Sequence, residues 1–258
     1  MSASAKPVAL VTGARRGIGL AVAKGLAEAG FDLAITDRED DKAAAEAVSG
    51  LEKHGAKVLF VASDLAEIEG HAATVEKIVG QFGRIDCLVN NAGIASKVRG
   101  DFLELTPENF DAIMAVNLRG TVFFTQAVLR AMLAMKPTPE PRSIINITSI
   151  SAEMTSPERL DYCMSKAGLA ALTQGLALRL ADAGIDVFEI RPGIIRSDMT
   201  AKVAEKYDRL IAEGLVPVKR WGEPDDIGRI AAALASGAFG FATGSIIKAD
   251  GALSVARL

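Results

Sequence analysis

Pro7-Val8-Ala9-Leu10-Val11-Thr12-Gly13-Ala14-Arg15-Arg16-Gly17-Ile18-Gly19 is an apolar run closed by a glycine-rich turn, and a helical pattern follows it to Ala29. Strand, glycine turn and helix form the context in which backbone N–H groups and a helix N-terminus receive a pyrophosphate. Glycines are needed there because the backbone must turn tightly and approach phosphates with no Cβ in the way. The spacing is Gly-x-x-x-Gly-x-Gly rather than Gly-x-Gly-x-x-Gly, so alone the segment reads equally as a plain strand–helix turn. The next apolar run, Phe31 to Thr36, ends at Asp37. A carboxylate closing the second strand, about 20 residues past the glycine turn, binds adenosine ribose hydroxyls. It would repel a 2′-phosphate and so favours NAD over NADP. Arg16 and Arg38 argue the other way, as guanidiniums able to receive that phosphate. A solvated acid opening the charge run Asp37 to Asp41 is the plainer alternative.

Outward from this unit the same alternation repeats. Asp40 to His54 reads as a helix, and Lys57 to Val61 as a third strand ending at Ser63-Asp64-Leu65. A helix from Ile68 to Phe82 leads to a fourth strand, Ile85 to Val89, ending at Asn90-Asn91-Ala92-Gly93. Pro107 starts a long helical segment to about Ala134, with Asn117, a poor helix former, inside it. An exposed polar position is the bland account of that asparagine. Lys136 to Arg142 holds three prolines and reads as a surface connection into the strand that ends at Ser149. A helix from Asp161 to Leu180, a strand from Asp186 to Ile190, a helical excursion from Asp198 to Gly214, a helix from Asp225 to Ala235 and a strand from Ser245 to Lys248 complete the chain. No repeat or composition break divides it. The expectation is one α/β domain over 1–258, a seven-stranded parallel sheet, doubly wound and flanked by helices.

The chemistry concentrates between Ile144 and Lys166. The apolar strand delivers Ser149 to its carboxyl end, and Tyr162 and Lys166 lie four apart, one turn from each other on one helical face. A phenol beside a fixed ammonium loses its proton more readily than a free tyrosine, whose pKa is about 10. A serine hydroxyl at the same place can hold a substrate oxygen while the phenol gives or takes a proton. That suggests a carbonyl–alcohol interconversion. Taken alone, the pair also reads as two residues sharing an exposed helix face.

Bulk properties narrow the class. The chain has 258 residues, a formal charge of -3, two cysteines and two histidines. This charge balance carries no nucleic-acid footprint and no polybasic membrane patch. Cys87 and Cys163 make no disulfide framework, and His54 and His71 make no ligand pair. A reduced, metal-free, cytoplasmic protein is the economical expectation, and the first six residues lack the apolar core of a secretory signal. The uncharged stretch from Ile230 to Ile247 holds three glycines, so it reads as a helix end, a turn and a buried strand rather than a membrane span.

Together these residues resemble the short-chain dehydrogenase/reductase family in its form of about 250 residues, a Rossmann-type fold, over essentially the whole chain. Thr12-Gly13-x-x-x-Gly17-x-Gly19 is similar to its cofactor loop and Asn90-Asn91-Ala92-Gly93 to its central motif. Asn117, Ser149, Tyr162 and Lys166 match its catalytic tetrad. The resemblance implies that Tyr162 is the general acid or base and that Ser149 holds the substrate oxygen. Lys166 would bind the nicotinamide ribose and lower the Tyr162 pKa, while Asn117 would fix a water. Gly13, Arg16, Gly17, Ile18, Gly19, Asp37, Arg38, Asp64, Leu65, Asn91, Ala92 and Gly93 would bind the rest of the cofactor. Pro192, Gly193, Ile195 and Ser197 would lie beside the nicotinamide. Substrate candidates are Ser149, Ser151, Glu153, Arg159 and Tyr162, under a small lid at about 198–221. One departure is Asp250-Gly251-Ala252, where a double glycine is usual, which touches subunit packing more than chemistry.

The implied function is NAD(H)-dependent hydride transfer between nicotinamide and a secondary alcohol or ketone, with a polar substrate of the sugar, polyol or hydroxy-acid kind. NADP(H) remains open through the alternative, an NADPH-dependent 3-oxoacyl-(acyl-carrier-protein) reductase. From a different class, a non-catalytic nucleotide-sensing regulator would be expected to lose the tyrosine or the lysine. Partners are a small-molecule substrate and other copies of the chain in a homotetramer, with no nucleic acid and no membrane.

Overall fold

The computed structural model describes residues 6–136, 139–201 and 203–256. The first five residues, part of the leader expectation, and Pro137 of the proline-rich connection lie outside them. Seven parallel strands form one sheet in the order β3-β2-β1-β4-β5-β6-β7. They are β1 Val8–Thr12, β2 Asp32–Asp37, β3 Val58–Ala62, β4 Cys87–Asn90, β5 Arg142–Ile147, β6 Ile185–Pro192 and β7 Ile246–Ala249. The helices are α1 Gly17–Glu28, α2 Lys42–Glu52, α3 His71–Phe82, α4 Pro107–Met114, α5 Thr121–Ala134, α6 Leu160–Leu180, α7 Asp198–Ala201, α8 Ala204–Ala212 and α9 Pro224–Ala235.

Strands covered on both faces must be apolar throughout, and β1 is buried at all five positions. Side-chain alternation sends Ala9, Val11, Leu33, Ile35, Ile145 and Phe188 to the core under α1, α2 and α9. Leu10, Ala34, Leu88, Ile144 and Val187 go to the opposite core with Phe124, Val128 and Met132 of α5. Caps fix several helix starts. Asp41 accepts from Ala44 N at 3.1 Å to begin α2, and Thr106 accepts from Asn109 N at 3.3 Å just before Pro107.

The order reverses between β1 and β4, the place where such sheets leave a crevice beyond the strands' carboxyl ends. Most sequence boundaries hold to within a few residues, but one expectation needs correcting. Pro107 to Ala134 is not one regular helix: a π-helical turn, Ala115–Gly120, separates α4 from α5. Asn117 sits in that turn and is fully buried rather than exposed. The stretch Pro107–Ala134 is also long and apolar enough to cross a membrane by length and composition. Here it packs through Ile113, Phe124, Val128 and Met132, all fully buried. Residues after β6 form a third small core, Ile211, Val216 and Trp221, which packs α8 and the following loop against Ile194.

Candidate active site

The glycine turn and the β4 loop are built against each other. Asn91 Nδ2 donates to the carbonyls of Thr12 at 2.9 Å and Gly13 at 3.0 Å. Thr12 Oγ1 accepts from the N–H groups of Asn91 and Ala92 at 3.0 and 3.1 Å. Gly13 takes φ +66°, which favours glycine, and a Cβ on Gly19 would lie 2.2 Å from the Gly13 carbonyl oxygen and 2.5 Å from Asn91 Nδ2. Arg16, the residue before α1, supplies no side-chain cap, and no acid stands in the first turn. The first-turn N–H groups of α1 are therefore open to an outside acceptor, which is what a pyrophosphate requires. A glycine-lined approach and an uncapped helix start fit a dinucleotide.

At the adenosine end, Asp37 closes β2 with its Oδ1 accepting from Arg38 N at 2.8 Å. The guanidiniums named from sequence lie elsewhere: Arg16 pairs with Asp198 at 2.9 Å and Arg38 with Glu39 at 3.2 Å. Arg15, which sequence reasoning missed, is the buried cation of this corner. Its Nη2 lies 2.8 Å from Glu39, its Nε 3.7 Å from Asp37, and its Nη1 meets Asp41. One buried guanidinium thus faces three carboxylates. The Asp64 carboxylate accepts from Ala66 N at 2.9 Å, and buried Leu65 is fixed by His71, whose Nε2 donates to its carbonyl at 3.1 Å.

The four residues of the proposed tetrad converge at the ends of β4 and β5 and on one face of α6. Asn117 bridges the loop after β4: its Oδ1 accepts from Ile94 N at 2.7 Å, and its Nδ2 donates to Ile94 O at 2.9 Å. A regular helix has no use for a buried asparagine; a π turn that must be tied to a neighbouring loop does. Tyr162 is 9% exposed and Lys166 4%, so the pair faces inward and not solvent. The Ser149 hydroxyl accepts from Ser151 N at 3.0 Å and lies near enough to the Tyr162 phenol to pull its pKa down. Lys166 Nζ donates to Ile147 O at 3.1 Å and stands 5.7 Å from the centre of the phenol ring.

The electrostatics differ from the expectation that Lys166 lowers the phenol. Burial pushes Tyr162 up from its ordinary value, while the Arg159 guanidinium, the Ser149 hydroxyl and Arg99 pull it back. Lys166 is itself pushed down to about 8 by burial, against the opposing pull of the Glu189 carboxylate. Arg159 lies over the phenol ring, 5.4 Å from its centre. Ser151 is buried, and Glu153 is taken up by Arg191 and Lys248, each at 2.9 Å. Gly193 packs against the backbone of Asp250, Ile195 is buried, and Ser197 N donates to Thr200 Oγ1 at 3.0 Å. Among the described residues no group of three or more His, Cys, Asp or Glu is arranged to hold a metal ion.

A second set of polar residues supports the site from below. Asn90 Nδ2 donates to Thr125 Oγ1 and to Asn146 Oδ1, both at 2.8 Å, and Asn146 Nδ2 donates to Thr173 Oγ1 at 2.9 Å. Two amides on adjacent strands thereby pin α5 and α6 to the sheet. Of these, Asn90 and Asn146 lay in segments that the sequence singled out for their chemistry, and Thr125 and Thr173 did not.

Known proteins share the sequence and fold of this chain. The family model described as Enoyl-(Acyl carrier protein) reductase matches residues 13–254. A 2-dehydro-3-deoxy-D-gluconate 5-dehydrogenase of Dickeya dadantii is 36% identical over 246 residues, 95% of this chain and 94% of that protein. A 3-oxoacyl-(acyl-carrier-protein) reductase of Staphylococcus epidermidis is 34% identical over 246 residues, 95% of this chain and 98% of that protein. A crystal structure of a 3-oxoacyl-(acyl-carrier protein) reductase from Brucella melitensis in complex with NAD superposes with a TM-score of 0.96 at 64% identity, covering 99% of this chain and 100% of that one. With a seven-stranded parallel sheet and relatives matched over almost their full length, the chain belongs to the short-chain dehydrogenase/reductase family of oxidoreductases acting on CH–OH and keto groups.

Proposed function

We propose that the protein is an NAD(H)-dependent oxidoreductase that interconverts a secondary alcohol and a ketone on a polar substrate of the sugar, polyol or hydroxy-acid kind. The observation that carries the cofactor preference is the acid-ringed Arg15. Its charge is already met by Asp37, Glu39 and Asp41, so this corner offers ribose hydroxyls a carboxylate, while the exposed Arg38 shares Glu39 with it. The relative crystallised with NAD supports the same preference. When bound, the nicotinamide supplies the hydride. The chain's own part is a proton and an orientation. Ser149 holds the substrate oxygen, Tyr162 donates a proton to it in reduction and withdraws one in oxidation, and Lys166 binds the nicotinamide ribose. Asn117 holds the loop after β4 in place.

Arg159 supports a polar, anionic substrate. It lies against the phenol ring, and no carboxylate lies within ion-pair distance of it among the described residues. A guanidinium kept there without a counter-ion suits a carboxylate close to the reacting carbon. The dehydrogenase of a sugar acid among the relatives is consistent with this. A second reading is an NADPH-dependent 3-oxoacyl-(acyl-carrier-protein) reductase: the names of several relatives favour its reaction, and a neighbour solved with bound NADP favours its cofactor. A nucleotide-sensing regulator is disfavoured because all four tetrad residues are retained. The deciding experiment is turnover with NAD+ and NADP+ against sugars, polyols, hydroxy acids and their methyl esters, beside reduction of 3-oxoacyl thioesters. Turnover of a hydroxy acid with NAD+, lost in its ester, supports the proposal; preferential NADPH-dependent thioester reduction transfers it to the second reading.

A cytoplasmic homotetramer belongs to the same proposal. Phe123 and Leu133 of α5 and Met164 and Leu178 of α6 are exposed apolar residues suited to burial against a second copy. Light scattering that gives a monomer at micromolar concentration refutes the assembly.

A further inference from the structure

The end of β6 carries charges where a strand covered on both faces ordinarily carries apolar residues. Glu189 is fully buried and Arg191 is 7% exposed. Arg191 Nε lies 2.6 Å from Glu189 Oε1, and Nη2 donates to Oε2 at 3.4 Å. Arg191 Nη1 reaches Glu153 Oε2 at 2.9 Å, and Lys248 Nζ reaches Glu153 Oε1 at 2.9 Å. Thr148 Oγ1 donates to Glu189 Oε1 at 2.6 Å. Buried ion pairs add little to stability over well-packed apolar side chains, so a ladder of alternating charge inside a sheet calls for another reason.

The reason lies in where the ladder is attached. Thr148 immediately precedes Ser149, and Glu153 follows it by four residues. One guanidinium, through its two carboxylates, therefore ties down both ends of the turn that carries Ser149. Arg191 immediately precedes Pro192-Gly193 in the chain. We propose that Thr148, Glu189, Arg191 and Glu153 form a clamp whose task is to position Ser149, holding its hydroxyl against the Tyr162 phenol and in register with the end of β6. These are positioning residues: they act through Ser149 and touch no reacting atom. The inference rests on the proposed roles of Ser149 and Tyr162 only for its consequence in catalysis; the clamp itself is read from contacts.

The test reads the phenol directly and needs no substrate. The chain has two tyrosines, Tyr162 and Tyr207, so a Tyr207→Phe background leaves the phenolate absorbance of Tyr162 alone. Stopped-flow pH jumps record its midpoint before any alkaline unfolding. The groups around the phenol are Arg159 before α6, Arg99 on the loop after β4, Cys163 and Lys166 on α6, and Ser149, with Glu189 facing Lys166. Two variants separate position from charge. Glu153→Gln removes a negative charge, which by electrostatics alone lowers the midpoint; a Ser149 released from the phenolate raises it. Thr148→Val changes no charge. The clamp predicts a rise of about one pH unit in both, the size of one hydrogen bond to a charged group, and restoration in Thr148→Ser. Calorimetry with NADH checks that the cofactor site is intact. A midpoint that stays or falls in Glu153→Gln overturns the proposal; that side chain is half exposed, so this variant decides alone should Thr148→Val not fold. An unaccepted substrate would upset the proposed function and leave this result standing.

Discussion

Asp37→Ala should bring NADPH binding close to parity with NADH without inverting the preference. In the structure Asp37 is one-fifth exposed at the end of β2, with Arg15 Nε 3.7 Å away. A 2′-phosphate set 4–5 Å from that carboxylate meets a repulsion of about 3–4 kcal/mol per unit charge at an effective dielectric of about 20. Exposure and salt reduce this to about 1–3 kcal/mol, or roughly 5- to 150-fold in affinity. Removing Asp37 deletes that repulsion. It leaves Arg15 engaged by Glu39 and Asp41, so the phosphate gains little new attraction. The double variant Asp37→Ala/Glu39→Gln releases more of the guanidinium and should favour NADPH outright. Titration calorimetry with both cofactors on the wild type and the two variants supplies the ratios. A wild type that binds NADPH tenfold more tightly than NADH, or an Asp37→Ala ratio equal to the wild type's, refutes the reasoning.

Three further outcomes are expected. Gly19→Ala places a methyl group 2.2 Å from the Gly13 carbonyl oxygen and should cost about 1–3 kcal/mol together with NADH affinity, read by melting and calorimetry. Lys166→Met should raise the melting temperature near pH 7 by relieving a buried charge. The ammonium's folded pKa of about 8 lies below its ordinary 10.5, so the unfolded chain binds more protons between these values. Stability therefore rises with pH across that window in the wild type, the penalty of at most about 3 kcal/mol is fully present below it, and the variant's advantage should vanish towards pH 10.5. Ala252→Gly should stabilise by about 0.5–1 kcal/mol, because Ala252 holds a left-handed φ of +68° where an L side chain is strained; thermal melts check it.

The sheet was legible because strands covered on both faces write themselves as continuous apolar runs, and the candidate site stood out because its polar residues interrupt those runs at their carboxyl ends. What escaped depends on partners distant in sequence. Asn117 read as a weak point in a long helix because nothing local announces Ile94 as its partner or a π turn as its setting. Arg16 and Arg38 drew notice as neighbours of the motif, yet it is Arg15 that turns inward, a matter of rotation about the turn that charge counting does not capture. Glu153 looked like pocket lining; its partners Arg191 and Lys248 lie 38 and 95 residues away. The phenol's pKa went the other way from expectation because burial, which no spacing rule contains, outweighs the nearby cations.

Tyr162→Phe tests the central claim most directly, since the phenol hydroxyl is required for proton transfer while the ring supplies only packing. Turnover with whichever substrate the cofactor screen identifies, and NADH affinity, are measured on the wild type and the variant. The account predicts a rate loss of about a hundredfold to ten-thousandfold with NADH affinity almost unchanged. A Tyr162→Phe protein that keeps a tenth of its activity would mean the proton comes from another group, and the catalytic assignment would fall.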